Sequence, residues 1–497
     1  MAVFLDSSLR NHLGRYSIVG LYPYLTLVKG EKFTVNGQEW GQSFETYVKE
    51  YLESHREENL TELPIVSGAI GYFSYDYGLQ KEGIESRHEK EELIPECILC
   101  FYDVFLVEDH QTGKLHLIAN GKKTDSRQMM EKLLYQIEKM QGKMSGEASE
   151  RLREETPKEA SGIVQAGELE KASEIVREEA LKKASGALQE EELKKASGVV
   201  QEEERERASG VVQTGAPEET ALENSDKIQV EANFGKEDYL KAVDDVVSHI
   251  IEGDIYIMNL TQQLAISSKK QPYQVFQTLR QNNPSPFGGY FQYGDFQIIS
   301  ASPERFLQMK RGHVVTRPIK GTRKRGETEA EDKAFRRELL ESEKDKSELL
   351  MIVDLERNDL NRVCVPGSVQ VTELFGVETY ATVFHLVSTV EGELERGKTV
   401  MDLMEATFPG GSITGAPKPR AMEIIDELEH GRRGLYTGTM GYLTLDGDCD
   451  FNIVIRTAIH RDGTYFLGVG GGITCESERE FEYEETLQKA KALLEAM

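Results

Sequence analysis

An α+β fold with large antiparallel sheets is what this sequence predicts. Strand-like runs crowd residues 255–309 and 369–470, and few helical patterns separate them. A parallel, doubly wound sheet would instead alternate strand and helix regularly. The glycine cluster Gly468-Val469-Gly470-Gly471-Gly472 is not followed by a convincing strand–helix–strand unit, so a dinucleotide-binding fold is not indicated. With 497 residues and 39% hydrophobic content the chain can bury a large core, over about two to four domains on length alone.

Three zones follow one another. In residues 1–140, the runs 15–20 and 68–78 read as strands bounded by glycine, and a charged helix is expected over 126–140. Residues 141–227 differ in kind. No aromatic occurs between Tyr135 and Phe234, and Ala-Ser-Gly or a close variant recurs at Ala160, Ala172, Ala184, Ala196 and Ala208. On an α-helix such a step advances about three turns and a further third, so equivalent positions never build a lasting apolar stripe. This composition reads as a low-complexity 12-residue-repeat insert, disordered or loosely helical; a partner-binding segment is the alternative. In residues 228–497, the apolar spacing of Tyr239, Leu240, Val243, Val247 and Ile250 predicts a helix closed by Gly253. Strands are expected at 255–266, 291–299, 305–309, 369–375, 383–391, 440–446, 451–459 and 464–470, with one long helix over 329–354.

The net charge of −27 argues against general nucleic-acid binding and against an anionic membrane surface. Any anionic substrate therefore needs a local positive site. Cys97 and Cys100 lie in an apolar run with no second pair, which suggests buried thiols in a reducing cytoplasm. The amino terminus lacks the basic and long apolar segments of a signal peptide. No apolar run approaches the ~20 residues of a membrane helix.

Several segments carry candidate chemistry. Lys320 stands in Arg317-Pro318-Ile319-Lys320-Gly321-Thr322, with Arg323, Lys324 and Arg325 beyond it. Neighbouring cations repel an ammonium and favour the neutral, nucleophilic amine; a solvated basic loop is the other reading. Phe408-Pro409-Gly410-Gly411-Ser412-Ile413-Thr414-Gly415-Ala416-Pro417-Lys418 is a glycine-rich turn running into a helix, a place where backbone N–H groups attract an anion. It is no nucleotide phosphate loop, because Ala416 stands where a lysine is required. Glu482 and Glu485 share a face of a helix expected to start near 478, where Ser477 and Glu480 have capping-box spacing. Asp345, Glu348 and Asp354 lie on the earlier helix. Carboxylates from two helices meeting over a cavity suit Mg²⁺, and two solvated acidic faces fit the spacing equally. Glu304 in Ser302-Pro303-Glu304-Arg305 is either a desolvated general acid or a surface partner of Arg305. His385 is a polar residue in an apolar strand, a satisfied core histidine or a substrate contact.

In order, SPERF, RPIKGT, ELLMIVDLERNDL, HLVSTV, FPGGSITGAPKPRAMEIIDELE, GYL and GGGIT…EFEYEET resemble the chorismate-utilising enzymes: anthranilate synthase component I, aminodeoxychorismate synthase component I, isochorismate synthase and salicylate synthase. RYSIVG and GAIGYFSYDYG resemble the amino-terminal half of the first two. The resemblance implies an anthranilate synthase component I-like fold, with antiparallel sheets packed as a sandwich and helices outside. It implies chorismate as substrate and Mg²⁺ as cofactor, held by Glu348, Glu482 and Glu485. Glu304 falls at the general acid for the C4 hydroxyl, and Arg456 and Tyr436 at substrate-carboxylate contacts. Gly470, Gly471, Gly472 and Thr414 fall at the pocket lining, and His385 and Lys418 at further family positions.

Lys320 selects a branch within the resemblance. Anthranilate synthases usually carry alanine there, whereas one class of aminodeoxychorismate synthases carries a lysine thought to attack ring carbon C2. The implied product is 4-amino-4-deoxychorismate, for the 4-aminobenzoate and folate branch; anthranilate, for tryptophan, is the alternative. A catalytically silent scaffold subunit is a third reading, which the presence of all four glutamates opposes. No glutaminase motif is found, so nitrogen is expected from free ammonia or a separate glutamine amidotransferase subunit. Two departures stand out: Ile257 and Gln263 replace a glutamine and an arginine of the family pattern GDIYQVNLSQRF. Leu5-Asp6-Ser7-Ser8 weakly resembles a tryptophan-sensing element.

Overall fold

The structure is a computed structural model that describes residues 2–11, 13–89, 94–140, 162–166, 229–380 and 383–497. Among them every strand pairing is antiparallel, and helices accompany the sheet, as the predicted α+β class requires. The two large zones are woven together. Strand Ala2–Asp6 pairs with Phe287–Tyr293, and Gly68–Phe73 with Thr439–Thr444. Val3, Ile18, Ile70 and Phe105 from the first zone pack against Phe291, Ile298, Met440 and Ile459 from the last. The division at 140 and 228 is therefore one of sequence, not of separate cores.

Most of the repeat zone lies outside the described residues, and with it the expectation of a disordered or loosely helical insert. Its one described segment, Gly162–Ala166, is a strand paired with Lys114–Ala119.

Four expected elements are divided differently. The run 68–78 is a strand only to Phe73; Ser74 then caps the helix Tyr75–Lys81, accepting from the Tyr77 N–H at 3.2 Å. The run 291–299 is a hairpin, Phe287–Tyr293 and Phe296–Ser302, turning at Gly294 with φ +51°. The helix expected over 329–354 is two, Glu329–Glu341 and Glu343–Asn361, divided at Ser342, whose hydroxyl accepts from the Asp345 N–H at 3.2 Å. The run 451–459 is broken between Cys449–Asn452 and Thr457–Arg461 by a segment containing Arg456, a non-glycine residue at φ +50°. Among the described residues no helix is long and apolar enough to cross a membrane.

Candidate active site

A cavity of about 530 Å³ opens between strand Ile319–Lys324, strand Thr464–Ile473 and helices Glu343–Asn361 and Arg479–Ala496. Its wall includes Glu304, Lys320, Glu348, His385, Tyr436, Arg456, Gly470, Gly472, Glu482 and Glu485, ten of the residues singled out in the sequence.

Lys320 reaches the cavity because its strand is bulged. Pairing with Val383–Glu393 shifts register between Lys320 and Thr322, and Gly321 sits there at φ +75°. A side chain at Gly321 would also meet the Asp345 carboxylate at 2.8 Å, so glycine is required twice over. The Lys320 ammonium donates to the Ser412 carbonyl at 3.3 Å. Gly472 faces it from the opposite strand, where an added Cβ would lie 3.2 Å from Nζ.

The cation cluster around Lys320 is not what the sequence suggested. Arg317 is bound to Glu373 and Glu378, Arg323 to Glu338 and Asp345, and Arg325 to Asp332, while Lys324 lies over the Phe335 ring. Each arginine is committed to carboxylates that arrive from other parts of the fold.

Glu304 is buried, and Ser412 Oγ donates to its Oε1 at 2.8 Å. Burial raises its pKa, against the opposing pull of Ser412, Lys320 and Arg456. Such a carboxyl suits a proton donor. It is no partner of Arg305, which forks onto Asp450 instead. Arg456 faces the open cavity but is enclosed by protein on its other sides, and that enclosure lowers its pKa. Among the described residues it has no ion-pair partner, which leaves a cation for an anionic ligand. His385 shares a 2.9 Å hydrogen bond with Thr322 Oγ1. Burial and then the Arg456 charge push its pKa down to about 4, so it is neutral at physiological pH. Tyr436 is held by a close approach to Gly468 that a side chain there would block.

The acidic side of the cavity comes from two helices. Glu348 projects from Glu343–Asn361, and Glu482 and Glu485 share a face of Arg479–Ala496. A Cβ on Gly471 would sit 2.7 Å from Glu485 Oε2 and 3.3 Å from Glu482 Oε2, so both carboxylates lie over this glycine. Burial, with a further contribution from Glu485, raises the pKa of Glu348 and Glu482. Glu485 pairs with Lys489 at 3.3 Å and Glu348 lies 4.0 Å from Lys344, and the three carboxylates do not gather within 4.8 Å of one another; as hard oxygen donors on two facing helices they are of the type a divalent cation takes. The expected capping box does not form: Glu478 is the N-cap residue without a side-chain cap, and Ser477 Oγ donates to Glu482 Oε1 at 2.7 Å. A different trio whose ligand atoms approach within 4.8 Å, His249, Glu252 and Asp254, lies at a helix end, where Asp254 already pairs with His249 and Arg420.

Three expected site residues lie off the wall. Lys418 is buried against Asp359 Oδ2 at 2.5 Å and the Thr407 carbonyl at 2.8 Å, an internal ion pair. Thr414 is fully buried; its hydroxyl donates to the Gly410 carbonyl at 2.9 Å, and its carbonyl accepts from the Asn259 N–H. Gly471 lies beneath the glutamates. Asn259, Thr322, Ser412 and Lys489 line the cavity without having been singled out.

The departures from the family pattern also have places. Ile257 is buried with its tip near Gly472, and the Gln263 side chain donates to the Arg432 carbonyl. Leu5, Asp6 and Ser7 border a separate cavity of about 260 Å³, where Asp6 is forked by Arg280.

Residues 10–165 and 168–495 match the model of a family described as chorismate binding enzyme. The chain belongs to this chorismate-binding family. It is 34% identical over 490 residues to aminodeoxychorismate synthase component 1 of Bacillus subtilis (strain 168), covering 97% of this chain and 89% of that one. It is also 34% identical over 490 residues to anthranilate synthase component 1 of Acetivibrio thermocellus, covering 97% and 87%. Among solved structures, anthranilate synthase component I from Streptococcus pneumoniae TIGR4 superposes with a TM-score of 0.70 at 29% identity, covering 98% of this chain and 93% of that one. Arg456, Glu304 and Lys320 place a cation, a buried carboxyl and an amine on one wall of the cavity.

Proposed function

We propose that this chorismate-binding enzyme is aminodeoxychorismate synthase component I, converting chorismate and ammonia to 4-amino-4-deoxychorismate. The observation that supports this reading is the Lys320 amine on the cavity wall, close to the buried Glu304 that shares its Ser412 contact. Lys320 Nζ bonds to ring carbon C2 through its lone pair. Both ring double bonds shift, from C1=C2 and C5=C6 to C6=C1 and C4=C5, and the C4–O bond breaks as the hydroxyl leaves as water with a proton from Glu304. Ammonia then bonds to C4, both double bonds return, and the C2–N bond breaks with its electron pair going back to Lys320. Two displacements in place of one divide a difficult step. Arg456 and Tyr436 hold a substrate carboxylate, and neutral His385 adds no charge to the wall. Glu348, Glu482 and Glu485 would hold Mg²⁺, which supplies positive charge to the other carboxylate. Ammonia comes from solution or from a separate glutamine amidotransferase subunit.

Anthranilate synthase component I is the second reading, favoured by the equal identity to the Acetivibrio thermocellus protein. Chromatography of the products from chorismate, Mg²⁺ and ammonium separates the two, with and without an added aminodeoxychorismate lyase. Aminodeoxychorismate is expected, convertible by the lyase to 4-aminobenzoate and strongly depressed in Lys320→Ala. Accumulation of anthranilate by the unaltered protein would sink the proposal.

A further inference from the structure

Behind the cavity wall, Arg433 has a side chain only 1% exposed, and its donors reach four residues, two on its own stretch of chain and one on each of two others. Nε and Nη2 donate to the Glu429 carboxylate at 2.9 and 2.7 Å. Nη2 also donates to the Asn259 carbonyl at 2.6 Å, and Nη1 to the Ile413 carbonyl at 2.8 Å and to Thr437 Oγ1 at 3.3 Å. Glu429 in turn accepts from the Thr261 N–H at 2.9 Å, and the Tyr75 ring lies 4.7 Å beneath the guanidinium.

These contacts end on the catalytic wall. Asn259 and Ile413 line the cavity, and Thr437 follows Tyr436, which lines it too. Between Gly411 and Ile413 stands Ser412, whose carbonyl takes the Lys320 ammonium and whose hydroxyl holds Glu304. A buried ion pair is a weak source of net stability, but a planar fork satisfying carbonyls on separate segments fixes their spacing. The three cavity glutamates project from helices to which Arg433 makes no hydrogen bond.

We propose that Arg433, backed by Glu429, is a positioning residue for the reaction. It holds the Asn259 strand and the Ser412–Ile413 turn, and through them the Lys320 amine and the Glu304 carboxyl. This rests on the roles given above to Lys320 and Glu304. The guanidinium holds the nucleophile and acid side of the cavity directly; it reaches the carboxylate side only through strand Ile257–Ser267, whose Gln262 donates to Thr486 at 2.6 Å.

Arg433→Lys and Arg433→Met test this in two ways. By hydrogen exchange, amides of residues 257–262 and 411–415 exchange faster in both variants, and those of 479–496, reached only through the Gln262–Thr486 contact, change less. By initial rates of chorismate consumption, whichever aminated product forms, kcat falls on the order of 10–100-fold, as expected when reacting groups are misplaced by an ångström or less. The Mg²⁺ concentration dependence stays as in the unaltered protein, and Arg433→Lys recovers part of the loss. Should Arg433→Met not fold, Arg433→Lys carries both comparisons. Unaltered exchange over 257–262 and 411–415 in a folded variant overturns the proposal, as does an unaltered kcat. An unaltered protein that consumes no chorismate overturns the functional reading instead, and the exchange comparison still decides the role of Arg433.

Discussion

Beneath the catalytic wall, Glu356 is fully enclosed, and its Oε2 lies 3.0 Å from Thr316 Oγ1. That hydroxyl also lies 2.7 Å from the Phe306 carbonyl, and one proton serves only one of them. A protonated Glu356 supplies the second proton. Burial first, with Glu304 and Asp359 adding to it, pushes its pKa up to about 8. The native state therefore keeps a proton that the unfolded chain releases above a pKa of about 4.3. Stability falls as pH rises between those two values and levels off above about 8. Glu356→Gln titrates nowhere, so its stability relative to the unaltered protein should improve by on the order of 1 kcal/mol per pH unit from pH 5 to 8. Urea unfolding at several pH values checks this, and parallel curves would contradict it. The buried state of Glu356 was not readable in the sequence, where it looks like one more helix glutamate. The arginines flanking Lys320 and the lysine at 418 were misjudged for the same reason. The partners of Arg317 and Lys418, namely Glu373, Glu378 and Asp359, lie 56–61 residues away in the chain, and only the fold brings them near; those of Arg323 and Arg325 lie 7–22 residues on, across the turn into the following helices. Lys320, Glu304 and Arg456 were legible because their residue types stand in short ordered motifs whose chemistry does not depend on distant pairing.

Helix Arg479–Ala496 shows why elements were easier to foresee than the work their end residues do. Its start near 478 was read from the capping-box spacing of Ser477 and Glu480, but Ser477 does not cap it; the hydroxyl orients Glu482 instead. With Glu482 in its proposed place as an Mg²⁺ ligand, Ser477→Ala should leave the helix in place while weakening Mg²⁺ affinity, with about 10–100-fold more metal needed for half-maximal rate, as for other outer hydrogen bonds to ligating carboxylates. Metal titration of activity beside circular dichroism checks this; lost helicity with unchanged metal dependence would contradict it. The elements whose boundaries were missed share a local cause. Ser342 and Ser74 each stop one element by capping the next, and Gly294 turns a hairpin inside an apolar run. The break at Arg456 is different, because a non-glycine residue at φ +50° disrupts a strand where its guanidinium faces the cavity. Local rules commonly fail at such sites.

At the scale of the whole molecule, sheet composition was legible and strand partnership was not. Alternating apolar runs announce strands, but nothing in them says that Ala2–Asp6 lies beside Phe287–Tyr293 or Gly68–Phe73 beside Thr439–Thr444. A fragment of residues 228–497 contains every cavity-lining residue yet lacks both partner strands, which leaves open sheet edges. It is expected to aggregate and to consume no chorismate, as judged by size-exclusion chromatography and assay; a monomeric, active fragment would contradict the interwoven fold. The same pairing sets a timetable for synthesis. Ala2 meets Gln292 and Gly68 meets Thr444, so on a ribosome adding ~5–20 residues per second the first strand waits roughly 15–60 s for its neighbour to be made. During that interval the first strand, paired on one side with Tyr16–Lys29, keeps its other edge open, and holdase chaperones that cover such edges should raise the yield of folded enzyme.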